Sequence, residues 1–170
     1  MSSPPFDPTN GPGAITANWD MTGAVDQRLR QIHAYWKSRC LDRQMPARPD
    51  IDPLDVPPLL PFIFLVDVLN GPRDFRFRLA GTHFRESVGS EVTGQLIGDV
   101  FPPAFNAEVH YYWSECVNRR EPAIGSGNLW IPGRDHVRWE GIILPLSPDD
   151  ATVNMLLGGA IFTIGAGRSA

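Results

Sequence analysis

The sequence predicts a single α+β domain built on an antiparallel sheet, and three observations carry that prediction. The 170 residues include 16 Gly and 17 Pro, too many turn formers for a helical bundle. Two stretches place apolar residues at helical spacing. Five short apolar or alternating runs are bounded by turn residues, as strands are. A chain of this length, 42% hydrophobic, has enough apolar surface for one core without disulfides.

Residues 1–22 hold Pro4, Pro5, Pro8, Gly11, Pro12 and Gly13 with little apolar patterning, and read as a flexible tail. Residues 23–44 read as an N-terminal helix. Val25, Leu29, Ile32 and Trp36 recur at steps of four, three and four, which puts one apolar stripe on a helix ending near Arg39. That stripe must dock, either on the chain's own sheet or on a second copy, so a homodimer is expected, helped by this helix. Residues 45–164 form the main domain, with a lead-in from Met45 to Pro61 whose six prolines allow neither a helix nor a central strand.

Within that domain, Phe62–Leu69 and Phe75–Phe84 flank Asn70-Gly71-Pro72 and predict a hairpin. Phe75, Phe77 and Leu79 alternate with Arg76 and Arg78, so the two faces of this strand meet different surroundings. Residues 85–103 are rich in Gly and Pro and predict short helical turns. Ala104–Arg119 carries Phe105, Val109, Tyr112, Trp113, Cys116 and Val117 at helical spacing, the longest helix after the first. Three strands follow, Ala123–Ile131, His136–Leu146 and Thr152–Ile164. Met155–Phe162 is apolar at both parities, which calls for a cover on each face of the sheet. Residues 165–170 read as a tail.

Charge and composition exclude several functions. A net charge of −4 and a pI near 5.5 give no general attraction to nucleic acid or to an anionic membrane. The longest uncharged apolar stretch, Met155–Gly167, is too short to span a bilayer, and the N-terminus lacks the basic residues and apolar run of a signal peptide. Cys40 and Cys116 share no motif, which fits a reduced, cytoplasmic setting.

The chemistry-bearing residues form no catalytic constellation. Asp50, Asp52 and Asp55 fail the spacing of a calcium loop, since Asp55 and Pro61 fall where a glycine and a glutamate belong; Asp52 instead suits a turn cap at Pro53 and Arg48 an ion pair. His33, His83, His110 and His136 are scattered without zinc spacing. Gly125-Ser126-Gly127 opens a strand and makes no nucleophile elbow, and no phosphate loop occurs. Arg76, Arg78, Arg138 and Glu140 all fall in strands; sharing one face, they would offer positive charge to a carboxylate or phosphate. The aromatic residues Tyr111, Tyr112, Trp113, Trp130 and Trp139, with Phe105 and Val109, are candidates for a pocket wall.

The order ββ, helical middle, βββ resembles a PAS domain. Met45 through Pro57, Leu59-Leu60-Pro61, Phe75 through Thr82, Thr93-Gly94, Leu144-Pro145-Leu146 and Leu156-Leu157-Gly158-Gly159 are together similar to a proteobacterial single-domain PAS-like family, over roughly residues 25–164. Glu91 stands where that pattern has an aspartate. The resemblance implies a five-stranded antiparallel sheet with short helices and one longer helix on one face, and a sensory or adaptor role in bacterial signal transduction, non-catalytic, through a small ligand, a protein partner or dimers.

No cofactor is expected. His110 lies on the long helix that supplies the axial ligand in haem-binding PAS proteins, so a haem-bound gas or redox sensor is the alternative reading. A small-molecule enzyme with an unrecognised site is the second. Cys116 lacks the Asn-Cys-Arg-type motif of light-sensing PAS domains and reads as a small core residue.

Overall fold

The computed structural model describes residues 15–21, 26–129, 131–134 and 136–165. The elements in order are β1 (Ile15–Asn18), α1 (Gln27–Cys40), β2 (Ile63–Leu69), β3 (Asp74–Ala80), α2 (Thr82–Val88), α3 (Ile97–Val100), α4 (Pro103–Arg119), β4 (Ala123–Asn128), β5 (Val137–Leu146) and β6 (Met155–Ile164). The strands make one sheet in the order β1-β4-β5-β6-β2-β3, antiparallel throughout.

Two expectations are corrected here. The sheet has six strands and not five, and the extra one comes from within the expected tail: Ile15–Asn18 pairs with Ile124–Gly127 of β4. Ile15 and Ala17 alternate with Thr16 and Asn18, and a period of two over four residues is too short a signal to outweigh the prolines before it. Phe75–Phe84 is also not one strand. β3 stops at Ala80, because Gly81 lies so close to the preceding strap that a Cβ there would stand 2.3 Å from the carbonyl oxygens of Leu60 and Pro61. The chain turns away at that point into α2.

Adjacent glycines explain how helices cover both faces. A Cβ on Gly158 would lie 2.1 Å from the Phe64 ring, which contacts Phe84 of α2 and Trp113 of α4. A Cβ on Gly159 would lie 2.6 Å from Ile32 Cδ1 and 3.2 Å from Leu29 Cδ2, both on α1. Successive residues of a strand point to opposite faces. The helices α2–α4 therefore cover one face and α1 the other, which accounts for the burial of β6 at both parities.

α1 runs from Gln27 to Cys40, inside the expected 23–44. Asp26 caps it, with Oδ1 accepting the Arg28 N–H at 2.8 Å, and the chain reverses at Leu41, where φ is 53°. Its stripe is spent on the chain's own sheet: Leu29 and Ile32 have no exposed surface, and the Trp36 indole donates to the Pro145 carbonyl at 2.9 Å. A two-fold contact would have to use residues other than these three. Val25, the fourth residue of the stripe, lies outside the described residues.

The Pro-rich lead-in forms three 3-10 turns, Arg48–Asp50, Pro53–Asp55 and Pro57–Phe62. Its carboxylates are structural. Asp55 takes the Tyr35 hydroxyl at 2.9 Å and Arg39 at 2.5 Å, Asp52 caps the Leu54 N–H at 3.0 Å, and Asp50 binds Arg43 and the Ala47 N–H. Among the described residues Arg48 forms no ion pair; it donates to the Ile51 carbonyl at 2.7 Å. Of the expected C-terminal tail, Gly165 donates to His136 O at 2.9 Å, and residues 166–170 lie outside the described set.

Candidate functional site: an apolar cavity under α4

α4 crosses the sheet with Phe105, Val109, Trp113 and Cys116 buried on one side, the positions its spacing dictates. Between that side and the sheet lies a cavity of about 90 Å³. Its wall comes from the sheet and from the helices on one face of it: Phe64 of β2, Phe84 and Val88 of α2, Phe105, Val109, Tyr112 and Trp113 of α4, Ile15 and Ala17 of β1, and Trp139, Ala160 and Phe162 of β5 and β6.

Small residues on the sheet keep this space open. Gly125 and Gly141 are register partners on β4 and β5, and a Cβ on them would lie 3.1 Å and 3.4 Å from the six-membered ring of Trp139. The indole thus rests against bare backbone, its N–H donating to Asn128 O at 3.2 Å and its ring meeting Phe105 edge to face. The indole N–H is thereby satisfied, and the lining is almost wholly carbon.

The nearby ionisable groups are pushed toward their neutral forms. Burial, with the Glu108 carboxylate one turn away, raises the Tyr112 hydroxyl above its ordinary pKa. Burial also raises the Cys116 thiol, whose Sγ donates to Glu121 O at 3.2 Å, so this cysteine is a packing residue. Glu108 is itself only 1% exposed.

The sequence-predicted site residues divide sharply. Phe105, Val109, Tyr112, Trp113 and Trp139 come together on the cavity wall. Arg76, Arg78, Arg138 and Glu140 do not. Arg78 and Arg76 pair with Asp67 of β2 at 3.1 Å and 3.8 Å. Arg138 donates to Asn128 Oδ1 at 3.2 Å, and Glu140 accepts the Asp26 N–H at 3.1 Å. Asp67 stands level with Met155 and Leu146, six residues along β5 from Glu140, or about 20 Å. The expected shared charged patch is therefore absent: the two groups sit at opposite ends of the sheet. Trp130 lies outside the described residues.

His110 is also off the cavity wall. Its Nε2 bonds to the Arg73 carbonyl at 2.8 Å, and its ring meets Phe75 edge to face. Among the described residues no three His, Cys, Asp or Glu side chains cluster closely enough to hold a metal ion, and no helix is long and apolar enough to cross a membrane. Glu91 fills the turn where an aspartate was expected, accepting the Thr93 N–H at 3.1 Å and Arg85 at 2.8 Å, which hold its carboxyl down at about 2.

Ile15, Ala17, Phe84, Phe101 and Phe162 line the cavity without having been singled out in the sequence. The first two sit in the stretch that reads as a tail. The phenylalanines look like any core residue, since a void leaves no mark on composition.

This sheet, with its helix-covered apolar cavity, defines a class of domain, and comparison with known families gives it a name. The family model described as PAS domain matches residues 25–161, so the chain belongs to the PAS-domain family. Two solved structures share the fold. One is the PAS domain of Bordetella pertussis BvgS, at 20% identity over 66% of this chain and 84% of that one, with a TM-score of 0.51. The other is an RNA-binding light-oxygen-voltage receptor, at 10% identity over 88% of this chain and 39% of that one, with a TM-score of 0.52. No curated protein matches the sequence.

Proposed function

We propose that this chain is a sensory PAS domain that binds a small molecule in the cavity under α4 and passes on its occupancy by a change of conformation, without catalysis. The cavity is the observation that supports this reading. Protein interiors are packed to crystal density, with few voids larger than a water molecule, and this void sits where the longest sheet-crossing helix meets glycines of the sheet. An occupant would touch Ile15 and Ala17 of β1, the strand that precedes α1 in the chain, and α1 packs on the opposite face of the same sheet. A signalling protein or a second copy of the chain would read the change.

The test is mass spectrometry of an organic extract of freshly purified protein, joined to amide NMR spectra with a library of small molecules. The reading expects an extracted molecule, or a library member, that shifts the amides of Val109, Tyr112 and Ala160. An empty extract, with no library member moving those amides, contradicts it. Light scattering tests the dimer: a monomeric mass at tens of micromolar removes it.

A further inference from the structure

The wall of the cavity restricts what it will accept, and that restriction names a class of ligand. This inference rests on the reading of the cavity as a ligand site. We infer that the ligand is an uncharged, carbon-rich molecule no larger than a single aromatic ring.

Charge is excluded by what surrounds the space. Among the described residues no Lys, Arg or His lines it, and the Trp139 N–H is already given to Asn128 O. An anion entering here would lose its hydration and meet no cation. Glu108 is buried in the core one turn before Tyr112, and after burial itself it is the next influence that disfavours a negative oxygen at that hydroxyl. The arginines that would suit a carboxylate or phosphate, Arg76 and Arg78, are engaged with Asp67 on β2. Asp67 and these arginines belong to the sheet face opposite Phe64, because Asp67 and Phe64 are three residues apart on one strand.

Size is set by the volume. A hydrocarbon-lined cavity of about 150 Å³ is known to hold benzene. The space here is about 90 Å³, smaller than that one-ring cavity, so its size favours a single ring over a fused bicycle. The lining favours a flat ring. Phe84, Phe105, Tyr112, Trp113, Trp139 and Phe162 present faces and edges from both layers, and several already meet one another edge to face, as Phe84 and Phe162 do at 5.6 Å between centroids. Offset and edge-on contacts with an aromatic guest continue that pattern.

Three guests separate the requirements: toluene, benzoate as its charged relative of similar size, and naphthalene as its larger neutral relative. Each is titrated into the full chain, followed by amide NMR shifts at Val109, Tyr112 and Ala160. Toluene is expected to bind at least 100-fold more tightly than benzoate and at least tenfold more tightly than naphthalene. The Val109→Phe variant, which fills the space, is expected to lose the toluene shifts; Ala160→Val does the same if the first variant does not fold. If benzoate or naphthalene shifts these amides as readily as toluene, the inferred class is overturned while the cavity remains a ligand site. If none of the three moves them in folded wild-type protein, the inferred class is overturned, and the extract and library decide separately whether the cavity binds anything.

Discussion

The ring of Phe64 lies flat against Gly158 of the neighbouring strand, its atoms 2.1–2.5 Å from where a Cβ would stand. Any side chain at 158 would push this ring into Phe84 and Trp113, which pack on it at 4.9 Å and 5.8 Å. Gly158→Ala is therefore expected to cost about 2–3 kcal/mol. Gly159→Ala meets first the movable end of Ile32 on the other face and should cost less, about 1–2 kcal/mol. Urea unfolding of both variants checks the order, and an equal or smaller loss for Gly158→Ala contradicts it.

His83 links stability to pH. Its Nε2 accepts the Phe162 N–H at 3.0 Å, so the ring must be neutral there, and it packs against Phe62 at 4.9 Å. Burial lowers its pKa first and the Arg28 charge adds to this, while Glu86 opposes. A histidine with a lowered native pKa contributes stability that is complete above the unfolded value of about 6.5 and lost as pH falls toward the native one. The urea midpoint should therefore drop between about pH 7 and pH 5. It should drop less in His83→Gln, whose amide oxygen can accept the same N–H at any pH. Identical pH profiles for the two proteins would show that His83 does not carry the effect.

Trp36 anchors α1 to β5. Replacing it with phenylalanine removes the indole bond to Pro145 O at 2.9 Å and part of a buried side chain, an expected loss of about 1–3 kcal/mol. The unfolding midpoint measures it. A change below about 0.5 kcal/mol means α1 is held elsewhere.

The thiols should be silent in the native state. Cys40 and Cys116 are both buried, and burial raises both pKa values, which suppresses the reactive thiolate. Labelling by a thiol reagent is expected to follow the unfolding rate. One thiol per chain reacting at once without denaturant is the opposite outcome.

Much of this fold is legible in the sequence because periodicity records burial. The stripe of Leu29, Ile32 and Trp36 and the both-parity run of β6 each call for a partner, and each proves to be part of the other's cover. The alternation of Phe75 and Phe77 with Arg76 and Arg78 likewise marks two unlike faces. What it cannot convey is register: Asp67, which holds both arginines, is brought to them by the pairing of β2 with β3. β1 escapes notice because two apolar residues in four are too few to count as a pattern. The cavity escapes for a different reason. Phe105, Val109 and Trp113 would show the same spacing on a solid core, and it is Gly125 and Gly141, with Trp139 laid over them, that leave the space.

Whether this space admits a guest is tested by xenon, without any assumption about the natural ligand. Dry apolar cavities take up xenon. A crystal of the protein pressurised with xenon should show an ordered atom within van der Waals contact of Val109, Ala160 and Phe162. Crystals that diffract well under pressure and show xenon only elsewhere, or not at all, would mean that α4 and the sheet close into a solid core and that this domain does not sense a small molecule there.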